Sequence, residues 1–214
     1  MLSACTSGTN AIVQTMQYAV QGEGSVDSAR LNPKFRYLRV TTGGRVALLA
    51  LGNEDSHPQG PIEVWYSAQR EVLRLQNGRV IGAVGMTTEW RNVVLPELPS
   101  WSAVARAREP VPWVRMRDIM PGYRFGVRDQ LLLSMVQPPQ NSALRGVDPQ
   151  SLSWFEERLQ SDSPSRFPAT LFTGLSADSR LPPARYAVAL REGRETVVYG
   201  EQCLAVDLCF SWQK

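Results

Sequence analysis

A chain of 214 residues, 43% hydrophobic and 20% charged, is long enough to bury a full core as one domain without help from a metal. Its net charge of +3 is too small to argue for a nucleic-acid partner. Lys34 and Lys214 are the only lysines among the basic residues, a bias that fits either a GC-rich genome or planar recognition of carboxylates and phosphates by arginine.

The first informative stretch is Leu2-Ser3-Ala4-Cys5, which has the form of a bacterial lipobox, small residues leading to a cysteine that becomes the acylated N-terminus. Such a site normally closes a signal peptide with charged and apolar regions. Residues 1–5 therefore read as the remnant of a lipoprotein signal, and residues 6–214 as a single β-rich periplasmic domain. Thr6, rather than Asp, follows Cys5, which by analogy with enterobacterial sorting points to the outer membrane. No stretch approaches the ~20 apolar residues of a spanning helix, so the expected relation to the membrane is an anchor through Cys5. Ile12, Met16 and Val20 then space a short amphipathic helix within residues 6–21.

Phe35 to Val40 alternates as a strand, and Gly43-Gly44 turns it back into Val46 to Leu51, which is apolar on both faces and reads as central. The polar loop after it carries His57, the only histidine. A Ser-His-Asp or Cys-His constellation would have to use it as base, and a His-rich zinc site cannot be assembled. Beside Pro58 it reads as a solvated turn residue. There is no GxxxxGK[ST] and no strand-linked GxGxxG, so no cofactor and no metal are expected.

Residues 60–85 read as a three-stranded antiparallel meander. Ile62, Val64, Tyr66 and Ala68 alternate with Glu63, Trp65 and Ser67. Asn77-Gly78 then suits a two-residue type I′ turn, because both positions need positive φ. That turn sets Gln76 opposite Arg79, Leu75 opposite Val80 and Arg74 opposite Ile81, with Leu73, Leu75 and Val80 on one buried face.

The same stretch resembles the YjbF/GfcB (YmcC) family of capsule and exopolysaccharide operon lipoproteins. The resemblance rests on Trp65, Ser67-Ala68, Val72-Leu73-Arg74-Leu75, Asn77-Gly78-Arg79-Val80 and Val84-Gly85-Met86, with Glu201-Gln202-Cys203 similar to an E-x-C near the family's end. It covers about half of the chain. It implies lipidation of Cys5 and a role in surface-polysaccharide export or assembly, with partners among the secretion proteins, the polysaccharide and the outer-membrane leaflet, and none in nucleic acid.

Beyond the meander, Pro96, Pro99, Pro110, Pro112 and Pro121 punctuate a segment that reads as loop-rich, holding Trp90, Trp101 and Trp113 with Arg106, Arg108, Arg115, Arg117, Arg124 and Arg128. Tryptophans beside arginines can stack on pyranose faces and pair with acidic substituents. They can equally be core or a protein interface, the weightier of the two readings. Residues 123–136 read as two strands about Arg128-Asp129-Gln130. Asp148-Pro149 opens an expected short helix with Leu152, Phe155 and Leu159 on one face, leaving Glu156-Glu157 on a solvated one. Residues 162–168 read as a linker, with strands at 169–172 and from Arg185 to the end.

Cys203 and Cys209 remain once Cys5 is reserved for lipid, and an oxidising periplasm permits a disulfide between them. In one continuous strand their Cα atoms would lie roughly 20 Å apart, whereas a disulfide needs about 4.4–6.8 Å. They pair only if 204–208 turns, and otherwise remain two buried thiols. The expected fold is a mainly antiparallel β protein, a strongly curved sheet or partly open barrel with a few short helices. The expected function is non-enzymatic: an outer-membrane-anchored periplasmic lipoprotein that assists capsule or exopolysaccharide secretion. Alternatives are a carrier of lipid or lipid-linked saccharide in an apolar cavity, and a polysaccharide-modifying enzyme using carboxylates such as Asp118 and Asp129 across a groove.

Overall fold

The computed structural model describes residues 26, 30–160, 181–191 and 193–214. Cys5 lies outside them, as do the helix expected within 6–21, the linker at 162–168 and the strand at 169–172.

The described residues form twelve strands. They are β1 (Tyr37–Thr42), β2 (Arg45–Asp55), β3 (Ile62–Tyr66), β4 (Val72–Gln76), β5 (Arg79–Val84), β6 (Glu89–Val94), β7 (Val111–Met120), β8 (Arg124–Val136), β9 (Ser153–Leu159), β10 (Ala184–Arg191), β11 (Arg194–Ala205) and β12 (Leu208–Gln213). Each is antiparallel to its neighbour in the chain, and β12 returns to β1 through Arg39↔Gln213, Val40↔Trp212 and Thr41↔Ser211, so the sheet closes into a ring. Closure removes the free edges that an open curved sheet would leave.

The meander has the register its turn dictates. Asn77 and Gly78 adopt φ of 48° and 76°, Gln76 faces Arg79 and Leu75 faces Val80. A bulge between Arg74 and Leu75 then sets Arg74 opposite Gly82 rather than Ile81, because one extra residue of β5 opposes the pair. Leu73, Leu75 and Val80 are buried as expected.

Twelve strands enclose more space than small side chains can fill. Trp65, Trp90, Trp101 and Trp212, all fully buried, join Phe155 and Tyr186 in one core cluster. The helix α1 (Trp101–Arg106) buries Trp101 and Val104. Alternating hairpins give the ring two ends. The connection carrying α1 defines the helix end, with the β2–β3, β4–β5, β8–β9 and β10–β11 connections; the β1–β2, β3–β4, β5–β6, β7–β8 and β11–β12 connections lie at the far end.

Three sequence expectations are corrected. The proline-punctuated segment is α1 followed by the ten-residue strand β7. Pro112 is accommodated there because β6 pairs with β7 only from Met116 onward, leaving no ladder on that side of Pro112. Residues 124–136 are one strand, unbroken at Arg128-Asp129-Gln130. The helix expected after Asp148 is a single 3-10 turn (Pro149–Ser151) leading into β9. Val26 packs with Val46 and Leu48, covering part of the outer face of β2.

Candidate functional site

Strand β7 alternates Trp113, Arg115, Arg117 and Ile119 inward, so its pleat carries two arginines into the ring. The register brings Asp129 of β8 opposite Arg115. Arg117 donates from Nε to Asp129 Oδ2 (2.6 Å) and from Nη2 to Oδ1 (2.7 Å), while Arg115 Nε reaches the same Oδ2 at 2.8 Å. Arg115 Nη1 also donates to Glu157 of β9 at 3.1 Å. Both guanidiniums lie over the Trp90 ring, 4.6 and 4.4 Å from its centroid, where the ring face favours a cation.

A third buried arginine, Arg79, stacks 3.9 Å from the Trp101 centroid and donates to the Pro99 carbonyl at 3.1 Å. Burial lowers its pKa, opposed by Tyr186, Glu157 and Glu195. Burial likewise pushes Glu157 up, against the pull of Arg115 and Arg79, and pushes the Tyr186 hydroxyl up. These groups are committed to one another inside the core.

Trp90, Trp101, Trp113, Arg115 and Arg117 are therefore buried, as the weightier core reading of the tryptophans has it, and they form no saccharide-binding surface. Arg106 and Arg108 are exposed at the end of α1 and beyond it. Glu156 and Glu157, expected on a solvated face, are both buried, Glu156 against Arg158 and Arg185. Asp129 is occupied by arginines, and Asp118 accepts from the Gly126 N–H at 2.8 Å. His57 sits in an exposed turn, where Nδ1 accepts from the Gln59 N–H at 3.2 Å. Cys203 and Cys209 face each other across the β11–β12 hairpin, Cα atoms 3.9 Å apart, and are joined by a disulfide. The turn at Val206-Asp207 supplies the reversal a continuous strand would deny.

A groove of about 760 Å³ opens at the helix end of β7 and β8. Its cause is a mismatch of strand lengths. Strand β6 stops at Val94, opposite Met116, whereas β7 runs back to Val111. The chain leaves the sheet through Pro96 and Pro99, which have no N–H to continue a ladder. Residues 96–99 thus form one wall, and the outward residues Val114, Met116, Arg128 and Gln130 form the floor, with Trp113 and Gln160 completing the lining. Val114 pairs with Gln130, Gln130 accepts from the Gln160 N–H at 2.8 Å, and Met116 pairs with Arg128. Arg128 and Gln130 thus lie two residues apart on the outer face of β8, with Gln160 beside Gln130 and the apolar Val114 and Met116 next to them, groups able to hydrogen-bond an extended polar chain. Trp113 and Arg128 were legible as aromatic and basic residues of this segment. The roles of Gln130 and Gln160 were not, because only the register aligns them.

No family model matches the chain, and no curated protein matches it in sequence. Among solved structures, its fold is similar to the crystal structure of the hypothetical lipoprotein YmcC from Escherichia coli (K12), with a TM-score of 0.59 and 13% identity over 99% of this chain and 96% of that chain. At that identity the likeness is one of fold.

Proposed function

We propose that the chain is an envelope lipoprotein, held at the periplasmic face of the outer membrane by a lipid on Cys5, that assists capsule or exopolysaccharide secretion by binding the polymer without catalysis. The observation that carries the binding reading is the groove beside β7, where Arg128, Gln130 and Gln160 lie next to Val114 and Met116. A set of this kind suits a repeating polar polymer, and Arg128 suits an acidic substituent. The process comes from the motif resemblance in residues 65–86, and the anchor from Leu2-Ser3-Ala4-Cys5, in keeping with the similar fold of a protein described as a hypothetical lipoprotein. A core filled by tryptophans is unfavourable to the carrier alternative, and arginine-bound Asp129 is a poor acid or base.

A second reading is favoured by one observation. Residues 111–115 of β7 lack a strand partner on the β6 side, so the groove also fits an extended segment of a secretion protein adding as a strand.

The test is deletion of the gene, complemented by the wild type, Cys5→Ala and the double variant Arg128→Ala/Gln130→Ala, scoring surface polysaccharide and sedimentation of the purified chain with that polymer. Loss on deletion, rescue by the wild type and failure of both variants are expected. Unchanged polysaccharide on deletion would remove the process; full rescue by the double variant together with unchanged sedimentation would remove the groove. Retained rescue by the double variant in vivo together with lost sedimentation would favour the protein partner.

A further inference from the structure

The three most exposed large hydrophobic residues among the described residues are Tyr123 (77%), Phe125 (66%) and Val206 (57%). All three stand at the far end of the ring, opposite α1, on the tips of the β7–β8 and β11–β12 hairpins. The β7–β8 tip is held in a defined shape. Tyr123 has φ of 52°, a conformation bulky residues rarely adopt, and the Asp118 carboxylate accepts from the Gly126 N–H across the turn. Two rings are thus presented to solvent at i and i+2 by an ordered turn.

The same end carries exposed cations, with the exposed acid Asp207 beside Val206. Arg45 and Arg70 are exposed at the same end and make no ion pair among the described residues; Arg91 is exposed and paired with Glu89. We infer that the far end of the ring docks on an anionic lipid surface, with Tyr123 and Phe125 entering the headgroup region and Arg45 and Arg70 meeting the phosphates. The apolar groups sit on separate convex tips, which a fluid interface can surround, whereas a protein partner needs one continuous complementary patch. Tyrosine suits such a boundary because its ring is apolar and its hydroxyl stays wet. Val26 packs on Val46 and Leu48 in the half of β2 nearer the far end.

The test uses the full 214-residue chain without acylation, sedimented with vesicles of phosphatidylethanolamine and phosphatidylglycerol, and with phosphatidylcholine vesicles. Binding to the anionic vesicles, lowered about ten-fold or more by Tyr123→Ser/Phe125→Ser, is expected. Val94→Ser, which removes an exposed apolar residue from the side of the ring, should leave binding unchanged. Arg45→Ser/Arg70→Ser should weaken binding to the anionic vesicles alone. Near-ultraviolet circular dichroism verifies that each variant keeps its packed core. No binding by the wild-type chain, or equal binding by the aromatic double variant, would overturn the inference. Because no acyl group is involved, that failure would leave the Cys5 anchor standing, and an unacylated Cys5 in cells would leave this result standing.

Discussion

Arg117 and Asp129 meet inside the ring as a two-pronged ion pair, with Nε 2.6 Å from Oδ2 and Nη2 2.7 Å from Oδ1. Arg115 shares the same carboxylate at 2.8 Å, so one buried acid faces two guanidiniums. Removing one member of a buried pair strands the other in a medium that solvates it poorly.

Asp129→Ala is accordingly expected to destabilise the fold by about 3–5 kcal/mol, read as a shift in the urea midpoint. Asp129→Asn keeps the shape and removes the charge, so most of the loss should persist. A midpoint unchanged by Asp129→Asn would mean that the charge does not matter and that packing alone fills the site.

Glu195 ties α1 to β11. Its carboxylate accepts from the backbone N–H groups of Trp101 (2.9 Å) and Ser102 (2.8 Å). Burial raises its pKa, but the hydrogen bonds from Ser102 and Trp101 outweigh that and leave it below the usual carboxylate value. A depressed carboxylate stabilises the fold above its unfolded pKa and loses that contribution as pH falls through the folded one. Wild-type stability should therefore drop more steeply below about pH 4.5 than that of Glu195→Gln. Melting curves from pH 6 to pH 3 that stay parallel would contradict this role.

Gly78 combines two constraints. Its φ is 76°, and a Cβ there would lie 2.4 Å from Val197. Gly193 has φ of 78° with open space around it. Gly193→Ala should cost about 1 kcal/mol for the backbone alone, and Gly78→Ala about 1–3 kcal/mol more for the clash. Equal shifts in Tm would show that Val197 yields freely.

The Cys203–Cys209 disulfide closes a short loop, with a sequence separation of 6, so its entropic contribution is modest. Cys203→Ser/Cys209→Ser should lower stability by about 2 kcal/mol, and reductant should match it because Cys209 is exposed. A wild-type Tm insensitive to reductant would place the stability of this hairpin elsewhere.

The Asn77-Gly78 turn and the Leu73-Leu75-Val80 face were legible because a two-residue turn dictates register over its nearest neighbours. Strand β9 was not. Trp154 packs outward with Ala187 and Tyr199 under residues 143 and 144, while Phe155 packs inward. A strand covered on both faces loses its period of two, and Leu152, Phe155 and Leu159 then imitate a helix. In the site, the tryptophans and arginines of residues 90–128 were visible as residue types. The burial of Arg115 and Arg117 was not, since the carboxylates that neutralise Arg115 lie 14 and 42 residues away.

By itself the sequence determined the class, an antiparallel β protein with the 77–78 hairpin in register, because turns and alternation are properties of adjacent residues. Only the tertiary structure decided that β1 and β12 close the ring, that Arg115 and Arg117 belong to the core, and that a groove opens where β6 ends short of β7. Each of these depends on which distant strands meet, and on what remains unpaired when their lengths differ.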